Sequence, residues 1–470
     1  MMKRRLLLLL LLLPVVSLAQ SRIQLVEPDA NKVALLSRVV SIDRVDGELV
    51  TAYANEQELA DLSRRGYSYK VCAVEASKAA MASSIEEMKQ WNRYPTYDTY
   101  VALMQQYAQD FPSLCRLDTI GVSTGVSRNG TLDKHLILCM VIHPQGDTSE
   151  RPQFFYSSTI HGDEVTGFYL MLRLIDTLLN GYETNPEYRQ LIDDVEIFIN
   201  PLANPDGTYY RSNSAISTYY SRRYNANSID LNRNYPDPFG SAPLNPQQIE
   251  NTDMISYFSN HNFRLSANLH GGAEVLNYPW DSFLSSQRTH PQRNWWVATC
   301  KGLADTIHAL APSHFIDVTT SGYINGGDWY VISNGRQDYV NHYHNCLELT
   351  IELSVDKILS TDLLQQYWGF MQRPLINYIK AIYNLPGGQE AGIDVLSSPR
   401  CFAVYPNPTN GRIVLETPKG EEHSPLYLLD IFGRIINIYP SDTKSVDLSC
   451  FADGLYLLKK GASISRVIKK

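Results

Sequence analysis

Apolar and polar positions divide the chain into stretches of different character. Leu6 to Leu13 is an unbroken apolar run behind Lys3-Arg4-Arg5, closed by Pro14. Ser17-Leu18-Ala19 places small residues where a signal peptidase reads, so residues 1–19 are expected to be a removed signal peptide. The run is too short to span a bilayer comfortably, and a retained anchor is the alternative reading. No later run is long enough to span, so no transmembrane segment is expected after signal removal.

Residues 20–93 read as a small α/β unit. Leu49 to Tyr53 and Tyr67 to Val71 have strand character, and Glu56 to Arg65 has a helical pattern. Glu75 to Gln90 is rich in Ala, Ser and Met and reads as helical or linking. From 94 to 385, strands and helices alternate. Phe154 to Ser158, Val195 to Ile199, Arg264 to Leu269 and Leu347 to Leu353 are strand-like, and Val165 to Leu179 is an amphipathic helix. This alternation predicts an α/β domain with a mixed, largely parallel sheet and helices on both faces. In such sheets, ligands bind at the carboxyl ends of strands. Residues 386–400 open on Pro386-Gly387-Gly388 and read as a linker. From 401 to 470, short alternating strands such as Arg412 to Leu415, Leu426 to Ile431 and Leu455 to Lys459 predict a small β-sandwich.

Composition narrows the functional classes. The 470 residues are 44% hydrophobic, enough for a large core, and carry a formal charge of −8. Cleavage of the basic leader makes the remainder more acidic still, a poor surface for nucleic-acid phosphates. The seven cysteines are an odd count without a CxxC pair, which signals neither a zinc ribbon nor a disulfide scaffold. Cys401 and Cys450 are the one pair worth testing, and buried thiols account for the others.

The chemistry concentrates at loops after predicted strands. His161-Gly162-Asp163-Glu164 lies between a strand and a helix. In a chain with 11 histidines an HxxE match alone is weak evidence, and a helix-capping loop is the alternative. A strand-end loop can nevertheless aim an imidazole and a carboxylate at one zinc ion. Leu269-His270-Gly271-Gly272 ends another predicted strand, so His270 can supply a third ligand and leave a fourth position for water.

Five motifs in one order carry a resemblance: His161-xx-Glu164, Asn204-Pro205-Asp206-Gly207, Asp230-Leu231-Asn232-Arg233-Asn234, His270-Gly271-Gly272, and Leu349-Thr350-Ile351-Glu352-Leu353. Over about residues 94–385 the chain resembles the zinc carboxypeptidase family of the carboxypeptidase A type. The resemblance implies one Zn2+ per chain on His161, Glu164 and His270. It implies Glu352 as general base, although Glu348 points to the same face of its strand. It implies Arg223 at the oxyanion, with Arg222 as the neighbour if the loop shifts by one. Asn232 and Arg233 would hold the terminal carboxylate, and Tyr330 would close over the substrate, with Tyr323 and Tyr339 as rivals. Asp230 would orient His161, or else cap its loop. A propeptide is common in this family, so 20–93 is expected to be propeptide-like or accessory.

The side-chain pocket resembles the regulatory group, carboxypeptidases N, E, D and M. Gln337 stands where the pancreatic enzymes carry their pocket-base residue, and Asp281 stands where the regulatory group places an acid. A preference for C-terminal Lys or Arg follows, with capping of a loop as the plain alternative for Asp281. Asn334-Gly335-Arg336 replaces the usual Gly-Gly-Met, so an extra cation near the pocket is expected to weaken that preference. The tail resembles another family. Val404-Tyr405-Pro406-Asn407-Pro408, Asp430-Ile431-Phe432-Gly433-Arg434, Gly454-Leu455-Tyr456 and the Lys469-Lys470 end are similar to the C-terminal sorting domain of the Bacteroidetes type IX secretion system.

The expected protein is thus a secreted or surface zinc metallocarboxypeptidase, exported through the periplasm. Its expected partners are peptide or protein C-termini and the outer-membrane secretion machinery, with no nucleic acid. Alternatives are the same hydrolase fold acting on cell-wall or acidic C-terminal peptides, or a non-catalytic peptide-binding surface protein.

Overall fold

A computed structural model describes residues 21–72, 78–146, 151–242, 245–386, 402, 404–415, 424–429, 435–460 and 463–470. The expected signal peptide, nearly all of the linker, Cys401 and the Asp430–Arg434 segment lie outside the described residues. The chain divides into two compact units, Met1–Leu385 and Pro386–Lys470. Among the described residues no helix is long and apolar enough to cross a membrane.

The first unit begins with a four-stranded sheet: β1 (Ser21–Val26), β2 (Ser41–Asp46), β3 (Leu49–Ala54) and β4 (Lys70–Val71), in the order β2-β3-β1-β4. Ile23, Leu25, Val50 and Ala52 face its helices and form a small core with Val33, Leu36 and Leu62. Asn55 caps the helix Glu56–Arg64, accepting from the Gln57 and Glu58 amides while Glu58 accepts from the Asn55 amide. The edge strand β2 carries a bulge. Ile42 faces Ala52 and Arg44 faces Thr51, so Asp43 is the extra residue, and a bulge re-aims the side chain it carries.

The main sheet contains β5 (Cys115–Val122), β6 (Leu136–Ile142), β7 (Gln153–Ser158), β8 (Glu196–Asn200), β9 (Phe263–His270), β10 (Ala273–Tyr278), β11 (Tyr323–Asn325) and β12 (Leu347–Ser354). Their order is β11-β10-β12-β9-β7-β8-β6-β5. The centre, β12-β9-β7-β8, is parallel, while β6 joins β8 and β10 joins β12 antiparallel. Alternate residues feed two cores. Leu138, Met140, Ile142, Phe154 and Tyr156 pack beneath the helices Thr166–Gly181, Arg293–Leu310 and Leu364–Lys380. Ile137, Cys139, Val141 and Phe155 pack on the opposite face with Met254 and Phe258 of the helix Ile249–Ser259.

The second unit holds two antiparallel sheets. Val404–Tyr405, Arg412–Leu415 and Ser445–Asp447 form one, and Leu426–Leu429, Ile435–Tyr439, Gly454–Lys460 and Ser463–Lys469 form the other. Ile413, Leu415, Leu426, Leu428, Val446, Leu458 and Val467 fill one core, as a small β-sandwich requires.

Candidate active site

The parallel centre brings three strand ends to one edge of the sheet. The loop after β7 carries His161 and Glu164, His270 closes β9, and Glu352 lies near the end of β12, directly beside His270 in register. The loop is fixed by Asn204, whose side-chain amide donates to the carbonyls of Ile160 (3.0 Å) and Arg223 (3.2 Å). Only glycine fits at 162. A Cβ there would lie 2.4 Å from the Gly207 Cα, in backbone that cannot yield. The Asn-Pro-Asp-Gly segment therefore works as a buttress under the HxxE loop.

Three donor atoms converge. Glu164 Oε2 lies 2.9 Å from Nδ1 of His161 and 2.9 Å from Nδ1 of His270, and the two ring nitrogens are 3.1 Å apart. All three residues are buried, and all three donor atoms lie within 4.8 Å of one another. Two imidazole nitrogens and one carboxylate oxygen form a donor set that suits Zn2+. Burial pulls the His270 imidazole down to about 4, which keeps it in the neutral, metal-ligating form. Burial opposes ionisation of Glu164, but the charges of His161 and Lys357 outweigh it and hold the carboxyl well below its ordinary range. Asp230 stands behind His161. Its Oδ1 accepts from Nε2 of His161 (3.2 Å) and from the Asn232 amide, and its Oδ2 accepts from Nε of Arg223 (3.0 Å) and from Ser41 Oγ (2.6 Å).

A small cleft opens over these groups, lined by His161, Glu164, Arg223, Asn232, Arg233, His270, Asp281, Tyr330 and Glu352, with Asp43, Gly271, Asn277, Ile332 and Thr350. Glu352 Oε2 is buried and has no hydrogen-bond partner among the described residues. Burial, and then the charge of Glu164, push its carboxyl well above the usual range. Glu348 shares its strand face but lies deep below. It is fully buried, accepts from Arg336 (3.0 Å) and Ser266 (2.9 Å), and does not line the cleft. Arg222 also turns away, donating to Ser228 Oγ (3.3 Å) and the Asn225 carbonyl, with its guanidinium over the Tyr210 ring. Of the three tyrosines only Tyr330 lines the cleft. Tyr323 sits on the edge strand β11, and Tyr339 belongs to the core beneath.

On the cleft lining Asp281 is buried and accepts from Nε2 of Gln337 (2.8 Å). Gln337 also accepts from the Thr350 amide (2.6 Å), so it braces Asp281 against β12. Burial and then the charge of Asp338 raise the Asp281 carboxyl well above its ordinary value. Gly326 makes this packing possible, because a Cβ there would lie 1.8 Å from Asp281 Oδ1. The expected extra cation at 336 is not in the pocket. Arg336 sits in the first turn of the helix Arg336–Tyr343, pairs with Glu348, and lies over the rings of Phe155 and Phe258. The helix directs the side chain toward Glu348, Phe155 and Phe258, and Arg336 is not among the residues that line the cleft.

Two groups escape a reading of the sequence. Asp43, from β2, reaches the cleft wall, with Oδ1 2.6 Å from Nζ of Lys357 and 3.9 Å from Nη1 of Arg223. Lys357, just past β12, also lies 2.7 Å from Glu164 Oε1. Neither belongs to the motifs, and only their placement in three dimensions joins them. Tyr330 additionally packs against the core of the four-stranded sheet.

With this geometry in hand, comparison with known proteins defines the class. The description "Zinc carboxypeptidase" matches residues 100–372, and "Secretion system C-terminal sorting domain" matches 403–470. The chain belongs to the zinc carboxypeptidase family and carries a secretion-type sorting domain at its end. Zinc is the cofactor of that family, and His161, Glu164 and His270 are the described residues that fit it. More particularly, the chain is similar to carboxypeptidase M of Mus musculus, 34% identical over 301 residues, 62% of this chain and 66% of that protein. It is 31% identical to carboxypeptidase D of Anas platyrhynchos over 62% of this chain and 21% of that protein. The chain thus spans less than two thirds of each of these two relatives. Carboxypeptidase A from Helicoverpa armigera shares the fold, with a TM-score of 0.56 at 18% identity over 78% of this chain and 98% of that one.

Proposed function

We propose that this protein is an exported carboxypeptidase that removes basic residues from peptide C-termini. The observation that carries the reading is the convergence, in one cleft, of the His161/Glu164/His270 donor set, the unpartnered Glu352 oxygen and the buried Asp281 carboxylate. His161, Glu164 and His270 would hold a zinc ion, which when bound would supply a Lewis acid and an activated water. Arg233 and Asn232 hold the terminal carboxylate of the substrate, the guanidinium through paired N–H donors. Asp281 pairs with the cationic side chain and so recovers the cost of its own burial. Glu352 takes a proton from the attacking water and returns it to the leaving amine. Arg223 donates to the carbonyl oxygen as negative charge develops there. Tyr330 closes over the bound residue. The sorting domain supports export through the periplasm to the surface by the outer-membrane secretion machinery.

The unit at 20–93 is propeptide-like in this reading. Its edge strand β2 lies along the cleft through Ser41 on Asp230, Asp43 on Lys357 and Arg44 on Asp317 (3.0 Å). Tyr224 adds a bond to the Tyr53 carbonyl (3.1 Å). The test follows release of the last residue from peptides ending in Arg and in Phe by mass, with and without a zinc chelator. Chelator-sensitive loss of Arg alone is expected. Loss of Phe instead would remove the pocket assignment, and chelator-resistant cleavage would remove the zinc assignment.

A further inference from the structure

We propose that the cleft carries an upstream subsite for a carboxylate side chain, built on Lys357 and occupied in this chain by Asp43. The inference rests on the carboxypeptidase reading and adds a second specificity determinant to it. Asp43 and Asp281 both line the cleft but are held by different groups. Asp281 is held by Gln337 and flanked by Asn277 and Gly326. Asp43 contacts Lys357 and Arg223 and lies over Gly272, where a Cβ would stand 3.4 Å from its Oδ1. The terminal residue of a substrate fills the pocket at Asp281. In this proposal the chain that precedes the scissile bond leaves past Glu164 and Asp43, both on the cleft lining and both in contact with Lys357.

Lys357 is held for this purpose. Its side chain is 11% exposed, its ammonium faces the Tyr53 ring at 4.8 Å, and its anionic neighbours are Asp43, Glu164 and, at 4.0 Å, Asp163. Asp43 is its nearest carboxylate, and both Asp43 and Tyr53 come from the four-stranded unit rather than from the main domain. Zinc would engage Glu164 and repel the ammonium, which strengthens the demand for another anion at this point. The bulge in β2 places a carboxylate there by geometry rather than by chance alternation. Asp43 is therefore a resident stand-in for an acidic residue one or two positions before the one released. Peptides ending in an acidic residue followed by a basic one are the favoured class.

The test measures peptide affinity by fluorescence anisotropy with the full zinc-loaded chain. Glu352→Gln slows turnover enough for a binding measurement, and Asp43→Ala or Asp43→Lys vacates the subsite, the latter by setting like charge against Lys357. Labelled peptides ending in Lys carry either Glu or Gln at both preceding positions, and a parallel pair ends in Phe. The vacated chains should bind the Glu peptide about fivefold or more tightly than the Gln peptide, with the ratio shrinking at high salt. Asp43 intact should flatten the ratio. Lys357→Met should abolish it and Lys357→Arg should retain it, with zinc content measured for each. Equal affinities, a preference that survives Lys357→Met, or no binding by either vacated chain would overturn the subsite. Failure of the basic pocket alone reads differently, as Phe-ended peptides binding better than Lys-ended ones while the Glu-over-Gln ratio persists.

Discussion

Replacing Asp281 with asparagine is the sharpest probe of the pocket. The carboxylate is 5% exposed and receives a 2.8 Å bond from Gln337. Asparagine keeps the volume and can still accept that bond through its oxygen, so shape is preserved while charge is removed. Truncating one partner of a buried charge pair costs about 2–5 kcal/mol, and retention of shape places this change near about 2–3 kcal/mol. At 1.4 kcal/mol per factor of ten, kcat/KM for a Lys-ended peptide should fall roughly 30- to 150-fold. A Phe-ended peptide of the same sequence should change by less than about threefold, since it makes no ion pair. The pH dependence has a definite sign. Burial raises the Asp281 carboxyl, so in the native enzyme the Lys-over-Phe ratio should climb as pH rises and the group ionises, whereas Asp281→Asn should show no climb. Stability runs the opposite way. A carboxyl raised in the folded state favours folding below its unfolded value of about 4 and loses that contribution as pH rises through the folded value. Asp281→Asn should therefore unfold at higher urea than the native chain at neutral pH, with the gap closing toward pH 4. A parallel fall for Lys- and Phe-ended peptides would refute the pocket reasoning, because only a general loss of structure or metal acts on both.

Other perturbations separate the remaining roles. Glu352→Gln should lower kcat by about 10²–10⁴ with unchanged zinc content, read by atomic absorption beside steady-state rates. His161→Ala should lose stoichiometric zinc and the rise in melting temperature that added zinc gives the native chain. Gly326→Ala forces Asp281 and Asn277 aside, since the new methyl would stand 1.8 and 2.5 Å from their oxygens, and should reduce kcat/KM for Lys-ended more than for Phe-ended peptides. Arg336→Met strands the fully buried Glu348 and should destabilise by about 3–5 kcal/mol in urea unfolding, whereas Arg336→Met with Glu348→Leu should cost much less.

The fold was legible where apolar periodicity was strong. Phe154–Ser158, Arg264–Leu269 and Leu347–Leu353 mark the parallel centre that the structure builds as β7, β9 and β12. The flanking antiparallel strands β5, β6 and β10 were not read; β5 and β6 pair with each other across a short connection, while β10 pairs with β12, far along the chain. Tyr67–Val71 shrank to Lys70–Val71, an exposed edge with little to bury. At the site, parity along a strand left Glu348 and Glu352 equivalent. Four residues of rise, about 13 Å, separate a buried ion pair from the cleft. Arg336 was placed near the pocket from its neighbours in sequence, and the first turn of its helix carried it to the other side. Asp43 and Lys357 gave no local signal, since each reads as an ordinary surface charge until the strand from the four-stranded unit is laid across the cleft.

The bulge at Asp43 makes that meeting a matter of counting. Ile42 faces Ala52 and Arg44 faces Thr51, consecutive partners on β3 that an unbulged strand would also pair in sequence. Losing a single codon at 43 would restore simple alternation, leave Ile42 in its core, and remove the carboxylate from Lys357 without altering any residue of the main domain. A lineage could thus couple or uncouple its leading unit from the catalytic cleft through one in-frame deletion. The trait would change in one step, invisible to any survey that tracks only the zinc ligands.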